Sequence, residues 1–562
     1  MDKIHTLLGQ FGYSQFKPLQ LDALQCLLDE QDVLLIAPTG GGKSLVYQMA
    51  SILRDGVGII ICPLLALMSQ QVEQLRQQGI RAEFLNSSLN PGEQDDLVWA
   101  LRHKQVDILF LSPEKFIQPS VMGFLSHIDI ALFAVDEAHC ITHWGTGFRP
   151  EYGQLNCIRR TFPTVPIVAM TGTADAATKK QIVASLELDS PKVLTASFNR
   201  PNIEMIISQK RQGQKQLLHF LIHEVPGKTG IIYCRSKKKV QQLSSALNGV
   251  GINSRYYHSA MTDAEKKTNA DYFYQESGVV MVATTAFGMG IDVADVRFIV
   301  HMDLPNSIEA YFQEVGRAGR DGLPAKALLL YGLQDLMQLA YFELEGARSG
   351  EQGADLDLLG LFGFLEARGC RRKALLDYFD EHIDDCGNCD RCLHPKSEQN
   401  VSIAAQKILS LIYHTKGRVS VSTLIQVLLG KPTKSVKALG LNQLNLFGKG
   451  RELTELSWKS LFRKLMAMGC IQIVGEGEFD FALTENARKV LKGAEQVVVT
   501  CDYHMPVLLE DTIEGDTSVW LALMRWYHDR QKVVDFSVSH LRQIALSKPN
   551  TLASLSRLTG VP

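Results

Sequence analysis

The chain has 562 residues, a formal charge of −2, 46% hydrophobic content and 21% charged content. That length is too great for one hydrophobic core and implies several domains of about 100–200 residues each; the composition excludes a disordered or fibrous chain, and no apolar run approaches the roughly 18 residues needed to cross a bilayer. Near-neutral charge leaves nucleic-acid binding open, because phosphate needs only a local basic surface.

The first residues, Met1 to Thr6, show no basic segment followed by an apolar core. A cytoplasmic location is therefore expected, associated with the nucleoid if the source is bacterial. In that compartment the eleven cysteines read as reduced core residues or metal ligands rather than disulfides. Between residues 30 and 335 short apolar runs alternate with helix-like stretches. Strands are expected at 33–37, 58–62, 107–111, 131–136 and 166–170, then at 230–234, 279–283, 298–301 and 327–331. Several are apolar throughout instead of alternating, the mark of parallel strands covered on both faces. Two successive α/β domains follow from this, joined near Phe198-Asn199-Arg200-Pro201-Asn202, where proline and asparagine interrupt the pattern. Beyond about 340 the pattern turns helical. A cysteine cluster comes next, then a polar linker at 393–400. Residues 401–495 read as a small helical domain ending in a hairpin, 470–474 and 480–483 around Gly475-Glu476-Gly477, which is the order of a winged helix.

Three segments carry phosphate chemistry. Ala37-Pro38-Thr39-Gly40-Gly41-Gly42-Lys43-Ser44 follows a strand and opens a helix. Glycines there let backbone N–H groups crowd round phosphates, and the helix N-terminus adds a favourable dipole. Lys43 is expected to reach the β/γ-phosphates and Ser44 to ligate Mg²⁺, with Thr39 to Gly42 cradling the nucleotide. Val135-Asp136-Glu137-Ala138-His139 ends another strand; Asp136 is placed to hold Mg²⁺ and Glu137 to orient the attacking water. In Gln313-Glu314-Val315-Gly316-Arg317-Ala318-Gly319-Arg320 two arginines three residues apart can reach a triphosphate across a cleft and stabilise its developing charge, and Gln313 joins them as a catalytic candidate.

These motifs, in this order, resemble superfamily 2 helicases, and their finer spelling resembles the RecQ family from about residue 5 to 495. Phe11-Gly12-Tyr13-Ser14-Gln15-Phe16-Lys17-Pro18-Leu19-Gln20 is similar to its nucleotide-recognition motif. The resemblance implies that Tyr13 stacks on adenine, Gln20 bonds its edge and Lys17 contacts the nucleotide, with lysine where the family usually has arginine. Residues 140–152 resemble the family's aromatic-rich loop: Trp144 and Phe148 can stack on bases of a single strand and Arg149 can meet a phosphate. That loop has Thr146-Gly147 where the family commonly has His-Asp. Thr171-Gly172-Thr173 stands for Thr-Ala-Thr, and Ser69-Gln70 for Lys-Asp. Thr284 to Asp292 resembles the motif linking DNA contact to the nucleotide cleft, and Tyr257-His258-Ser259-Ala260 a DNA-backbone motif, which makes His258 a DNA contact. The run Arg235-Ser236-Lys237-Lys238-Lys239 reads first as a solvated helix face.

Cys370, Cys386, Cys389 and Cys392 are spaced C-x15-C-x2-C-x2-C. Four thiolates close a tetrahedral Zn²⁺ site, and the tight run also suits an iron–sulfur cluster; the resemblance favours zinc, because the family's zinc module has this spacing. Residues 440–451 resemble the start of the family's winged-helix signature, with Gly440-Leu441-Asn442-Gln443-Leu444 in place of Gly-His-Asp-Lys-Leu. Residues 515–562 faintly resemble part of the helicase-and-RNase-D C-terminal domain.

The expected fold is thus two RecA-like parallel-sheet motor domains, 1–200 and 201–340, a helical zinc-binding module, 341–398, a winged helix, 399–500, and a helical tail, 501–562. The expected function is an ATP-dependent DNA helicase of repair or recombination, 3′→5′ by family resemblance. ATP, Mg²⁺ and Zn²⁺ are its cofactors, single-stranded and duplex DNA its partners beside repair proteins, and a monomer its state, with no membrane association. A translocating ATPase that does not unwind, a DNA scaffold with a silent motor and an RNA helicase share some of these motifs.

Overall fold

A computed structural model of the chain describes residues 2–38, 40–63, 65–86, 90–141, 150–288, 295–349, 358–474 and 480–500, with Ile544 and Ser547. Thirteen strands of the motor region fall in two sheets. The first holds β1 (Val33–Ile36), β2 (Val57–Ile61), β3 (Ala82–Leu85), β4 (Ile108–Leu111), β5 (Ile130–Val135), β6 (Ile167–Thr171) and β7 (Lys192–Thr195) in the order β3-β4-β2-β5-β6-β1-β7. The second holds β8 (Ile203–Gln209), β9 (Gly230–Tyr233), β10 (Ser254–Tyr257), β11 (Val280–Ala283), β12 (Phe298–His301) and β13 (Ala325–Tyr331) in the order β10-β11-β9-β12-β13-β8. Every pairing in both is parallel.

The reason lies in the two-residue repeat of a strand. In β1, Val33 and Leu35 enter one apolar core while Leu34 and Ile36 enter the other. In β12, Phe298 and Val300 face one core and Ile299 the opposite one. A strand apolar at every position needs cover on both faces, and only crossover helices supply it.

Four strands were not legible as apolar runs: β3, β7, β8 and β10. They are the four edges of the two sheets. An edge strand needs less cover: β7 (Lys-Val-Leu-Thr) buries only Leu194. The edge β8 is covered differently, because Met205 forms a parallel bridge to Cys389 of the cysteine cluster. The chain crosses from the first sheet to the second over residues 196–202.

Past β13 come helices Leu333–Ser349, Leu358–Leu365 and Arg371–Tyr378, then helices Ser402–His414, Val421–Leu428 and Glu455–Ala467 with the antiparallel hairpin Ile471–Ile473 and Phe481–Leu483. That is a winged helix. The hairpin turn 475–479 lies outside the described residues, as does the tail beyond 500 apart from Ile544 and Ser547. A further strand pair, Glu398–Asn400 with Val498–Thr500, closes the winged helix at its base where the sequence reads as a plain polar linker. One apolar core runs without a break from the first sheet through the second, the cysteine module and the winged helix.

Candidate nucleotide and metal sites

The phosphate loop joins β1 to helix Lys43–Leu53. Gly40 and Gly42 adopt φ of +82° and +75°, a region that costs other residues steric strain. A Cβ at Gly42 would also meet Gln20 Nε2 at 2.2 Å. Gln20 itself accepts from the Lys17 N–H at 2.7 Å and donates to the Gly42 carbonyl at 2.8 Å. Lys17 Nζ donates to the Gly40 carbonyl at 2.6 Å. The recognition segment is therefore tied to the loop through two side chains, with Tyr13 52% exposed beside it as a free stacking surface. Lys43 Nζ donates to the Ala37 carbonyl at 2.7 Å. Ser44 follows it in the first turn, and Thr39 lies outside the described residues.

Asp136 and Glu137 stand at the end of β5. Glu137 takes φ +48°, a left-handed conformation for a non-glycine residue and the kind of local strain that collects at functional sites. Burial, then the adjacent Glu137 charge, pushes the Asp136 carboxyl up to about 6, against the pull of Lys43. Burial likewise lowers the Lys43 ammonium, opposed by Glu137 and Asp136. Asp136 beside the part-exposed Glu137, with Lys43 close by, fits a divalent cation between the two carboxylates.

From this pair a chain of contacts crosses to the second domain. His139 Nδ1 lies 3.4 Å from Glu137 Oε2 and 2.9 Å from Thr171 Oγ1. The Thr171 hydroxyl donates to the Thr173 carbonyl at 2.9 Å. Gln313 Nε2 of the second domain then donates to Thr173 Oγ1 at 3.2 Å. Arg320 lies on the phosphate loop, where a Cβ at Gly40 would touch its Cγ at 3.6 Å. Arg317 does not share that place: it is 7% exposed and sits under Gly288, where a Cβ would come within 2.9 Å of its Nη2. Arg320 thus lies against the phosphate loop, and Arg317 against Gly288 of its own domain.

Sequence reasoning had given no role to His139, although it belongs to a motif already singled out, or to Tyr152, whose hydroxyl donates to the Asp136 carbonyl at 3.0 Å. Trp144, Phe148, Arg149 and the Thr146-Gly147 departure lie outside the described residues, as do positions 289–292. His258 needs correction: it is 4% exposed, with Nε2 2.9 Å from Gln241 Nε2 and its ring stacked on Tyr256. Its imidazole is buried in the domain, and the exposed part of that motif is Ser259-Ala260. The basic run is also divided. Lys239 pairs with Asp303, and Arg235 donates to the Leu304 carbonyl at 3.1 Å, while Lys237 and Lys238 stay exposed.

The sulfurs of Cys370, Cys386, Cys389 and Cys392 all lie within 4.8 Å of one another, two pairs at 4.0 Å. Zn–S bonds of about 2.3 Å in a tetrahedron place sulfurs about 3.8 Å apart. Backbone N–H groups of Arg371, Lys373, Cys386 and Asn388 point at three of these sulfurs at 3.3–3.4 Å, which suits thiolates. The donor set fits zinc with no open position. Behind it, Arg371 and Asp390 form an ion pair at 3.2 Å with both side chains at most 2% exposed.

Compared with known proteins, the chain matches the DEAD/DEAH box helicase family over residues 17–182, the helicase conserved C-terminal domain over 212–322, the RecQ zinc-binding family over 333–393 and the RQC domain over 395–505. It is 40% identical to the ATP-dependent DNA helicase RecQ of Pasteurella multocida, across 100% of this chain and 90% of that protein. It is 39% identical to the protein of the same name from Haemophilus influenzae, across 88% and 80%. Among solved structures, the helicase MrfA in complex with DNA and AMPPNP is similar in fold, with a TM-score of 0.52 at 16% identity, covering 68% of this chain and 58% of that one.

Proposed function

Because the chain belongs to the RecQ family of helicases, we propose that it is an ATP-dependent DNA helicase that hydrolyses ATP to move 3′→5′ along single-stranded DNA and separate duplexes in repair or recombination. The observation that carries this reading is the junction of the two motor domains at the phosphate loop: Arg320 against Gly40, and Gln313 bonded to Thr173. Groups that complete the site come from the domain opposite the nucleotide. Closure and opening of the cleft can therefore be driven by hydrolysis and used to ratchet a strand.

Lys43 and the loop amides hold the phosphates, Gln20 and Tyr13 select the base, Asp136 and Ser44 hold Mg²⁺, and Glu137 orients the attacking water. Mg²⁺ held by Asp136 and Ser44 would supply charge neutralisation at the phosphates. The His139–Thr171–Thr173–Gln313 chain gives Glu137 a route by which cleft opening is felt. Arg320 meets the triphosphate, and Arg317 supports the 284–288 segment. The proposed modules are 1–200, 201–340, 341–398 and 399–500, with a tail at 501–562; the family matches begin at 17, 212, 333 and 395, and the helix Leu333–Ser349 runs across the 340/341 border.

Duplex contact falls to a specific face of the winged helix. The helix before its hairpin, Glu455–Ala467, buries Trp458, Arg463 and Lys464. By contrast residues 430–451 contain no acidic residue and expose Lys431, Lys434, Lys437, Lys449 and Arg451. Such a surface suits phosphate contacts.

The test is strand separation of a 3′-tailed duplex with ATP and Mg²⁺, beside a Lys43→Ala control. Unwinding by the wild type alone supports the helicase. ATP turnover without unwinding moves the reading to a translocase, and absence of both to a scaffold.

A further inference from the structure

The cysteine module grips the segment that joins the motor domains, and that segment in turn grips the turn carrying Arg317 and Arg320. On the module's side, a Glu381 carboxylate accepts from Ser197 Oγ and from the Phe198 N–H, both at 2.6 Å. Asn388 Nδ2 donates to the Pro201 carbonyl at 3.0 Å, and Arg372 donates to the Ile203 carbonyl. The Phe379 ring stacks on Phe198 at 5.0 Å and lies 5.2 Å from Phe312, on helix Ile308–Val315.

On the other side, Arg200 reaches the C-terminal end of that same helix. Its Nη1 donates to the Gly316 carbonyl at 3.1 Å, and its Nη2 to those of Ala318 and Gly319 at 2.9 and 2.8 Å. Asn202 Nδ2 donates to the Gly319 carbonyl at 2.9 Å. Gly316 caps that helix, and Ala318 and Gly319 stand in the turn beyond it; their carbonyls lie outside the helical ladder and need partners from elsewhere. A planar guanidinium can serve three of them at once, and a lysine ammonium on its flexible stem matches that fork poorly. Burial, then the charge of Arg320, holds the Arg200 guanidinium below its ordinary value, with Asp321 opposing.

We propose that Arg200 is a positioning residue for ATP hydrolysis: it sets the pose of the 316–320 turn, and the folded zinc module, through Glu381 and Phe379, sets the pose of Arg200. The proposal rests on the reading of Arg320 as the group that meets the triphosphate. It predicts where the effect falls. The nucleotide is held in the ground state by first-domain groups, whereas Arg320 crosses the cleft to meet developing charge, so loss of its pose lowers kcat and spares nucleotide affinity.

The experiment measures DNA-stimulated ATP turnover, affinity for a fluorescent ATP analogue and zinc content on the full chain. The variants are Arg320→Ala, Arg200→Gln, Arg200→Lys, Glu381→Gln and the Arg200→Gln/Arg320→Ala double. Arg200→Gln is expected to lower kcat at least about tenfold with analogue affinity within about twofold and zinc retained. Arg200→Lys is expected to fall between it and the wild type, and Glu381→Gln to slow turnover without loss of zinc. The double variant should be no slower than Arg320→Ala alone, because both changes remove one effect. Wild-type kcat in Arg200→Gln beside a slow Arg320→Ala overturns this proposal alone. So does a loss that multiplies with that of Arg320→Ala, or one that appears as weaker nucleotide binding. Wild-type kcat in Arg320→Ala overturns the reading beneath it, and the proposal with it. If Arg200→Gln does not fold, Arg200→Lys and Glu381→Gln carry the same comparison.

Discussion

At the scale of the residue, the nucleotide site depends on side chains small or planar enough to sit against the loop. Gly42 combines a left-handed φ with a Cβ position already occupied by Gln20 Nε2. Gly42→Ala should destabilise the loop by about 1–2 kcal/mol and displace Gln20, and titration with a fluorescent ATP analogue should show an affinity about tenfold weaker; unchanged affinity would argue that Gln20 plays no part in recognition. A second residue-scale test is acid stability. Burial works against the Asp303 carboxylate, but Lys239, the Arg235 N–H and Lys210 outweigh it and hold the group below its ordinary range. A depressed carboxylate contributes stability that is present above about pH 4 and lost as pH falls through its lower folded value. Asp303→Asn should therefore cost on the order of 2–3 kcal/mol at pH 7, and the gap between variant and wild-type melting should narrow toward pH 3. The residues of this scale were legible wherever chemistry demands a type at a spacing, as in Gly40-Gly41-Gly42-Lys43. Arg200 and Tyr152 were not, because a side chain that bonds to distant backbone carbonyls leaves no local pattern.

At the scale of the element, central and edge strands behaved differently. Apolar runs such as Ile59-Ile60-Ile61 announce a strand buried on both faces, whereas the edges do not: β3, β7 and β10 are only partly buried, and β8, buried at six of its seven positions, carries Glu204, Ser208 and Gln209. The zinc module exploits one of these edges by pairing Cys389 with Met205 of β8. Thiolate binding is also folding energy in such modules. Cys389→Ser should release zinc and unfold the module around 370–393. Hydrogen exchange should then show faster exchange in 203–209 than in the central strands β9 and β12. A soluble variant with full zinc content and unchanged exchange would contradict this account of the edge.

At the scale of the whole molecule, the winged helix is fastened to the motor by a buried charge cluster. Glu366 pairs with Arg463 and, at 3.1 Å, with Lys464, and accepts from the Tyr331 hydroxyl at 2.7 Å. Arg463 also lies 4.7 Å over the Tyr331 ring. Removing one partner of a buried pair leaves the other charge uncompensated, at about 3–5 kcal/mol. Glu366→Ala should therefore loosen the winged helix from the motor, seen as protease cleavage near the 393–400 linker, with ATP turnover largely kept. Intact resistance to protease would show that the shared apolar core alone holds the domains together.

What residue order alone determined is the chemistry: the phosphate loop, the paired carboxylates, the cysteine spacing and the two-face burial of central strands. Each is a local pattern, imposed by backbone geometry within a few residues. What only the tertiary structure decided is which groups share a place. Arg317 and Arg320 sit three residues apart, yet one lies against Gly288 of its own domain and the other against Gly40 of the phosphate loop; His258 is buried beside Gln241 and Tyr256. Arg200 belongs to an unremarkable crossing segment and becomes the clamp of the arginine turn. Side-chain direction and long-range carbonyl partners are set by how the domains dock, and docking depends on surfaces far apart in the chain.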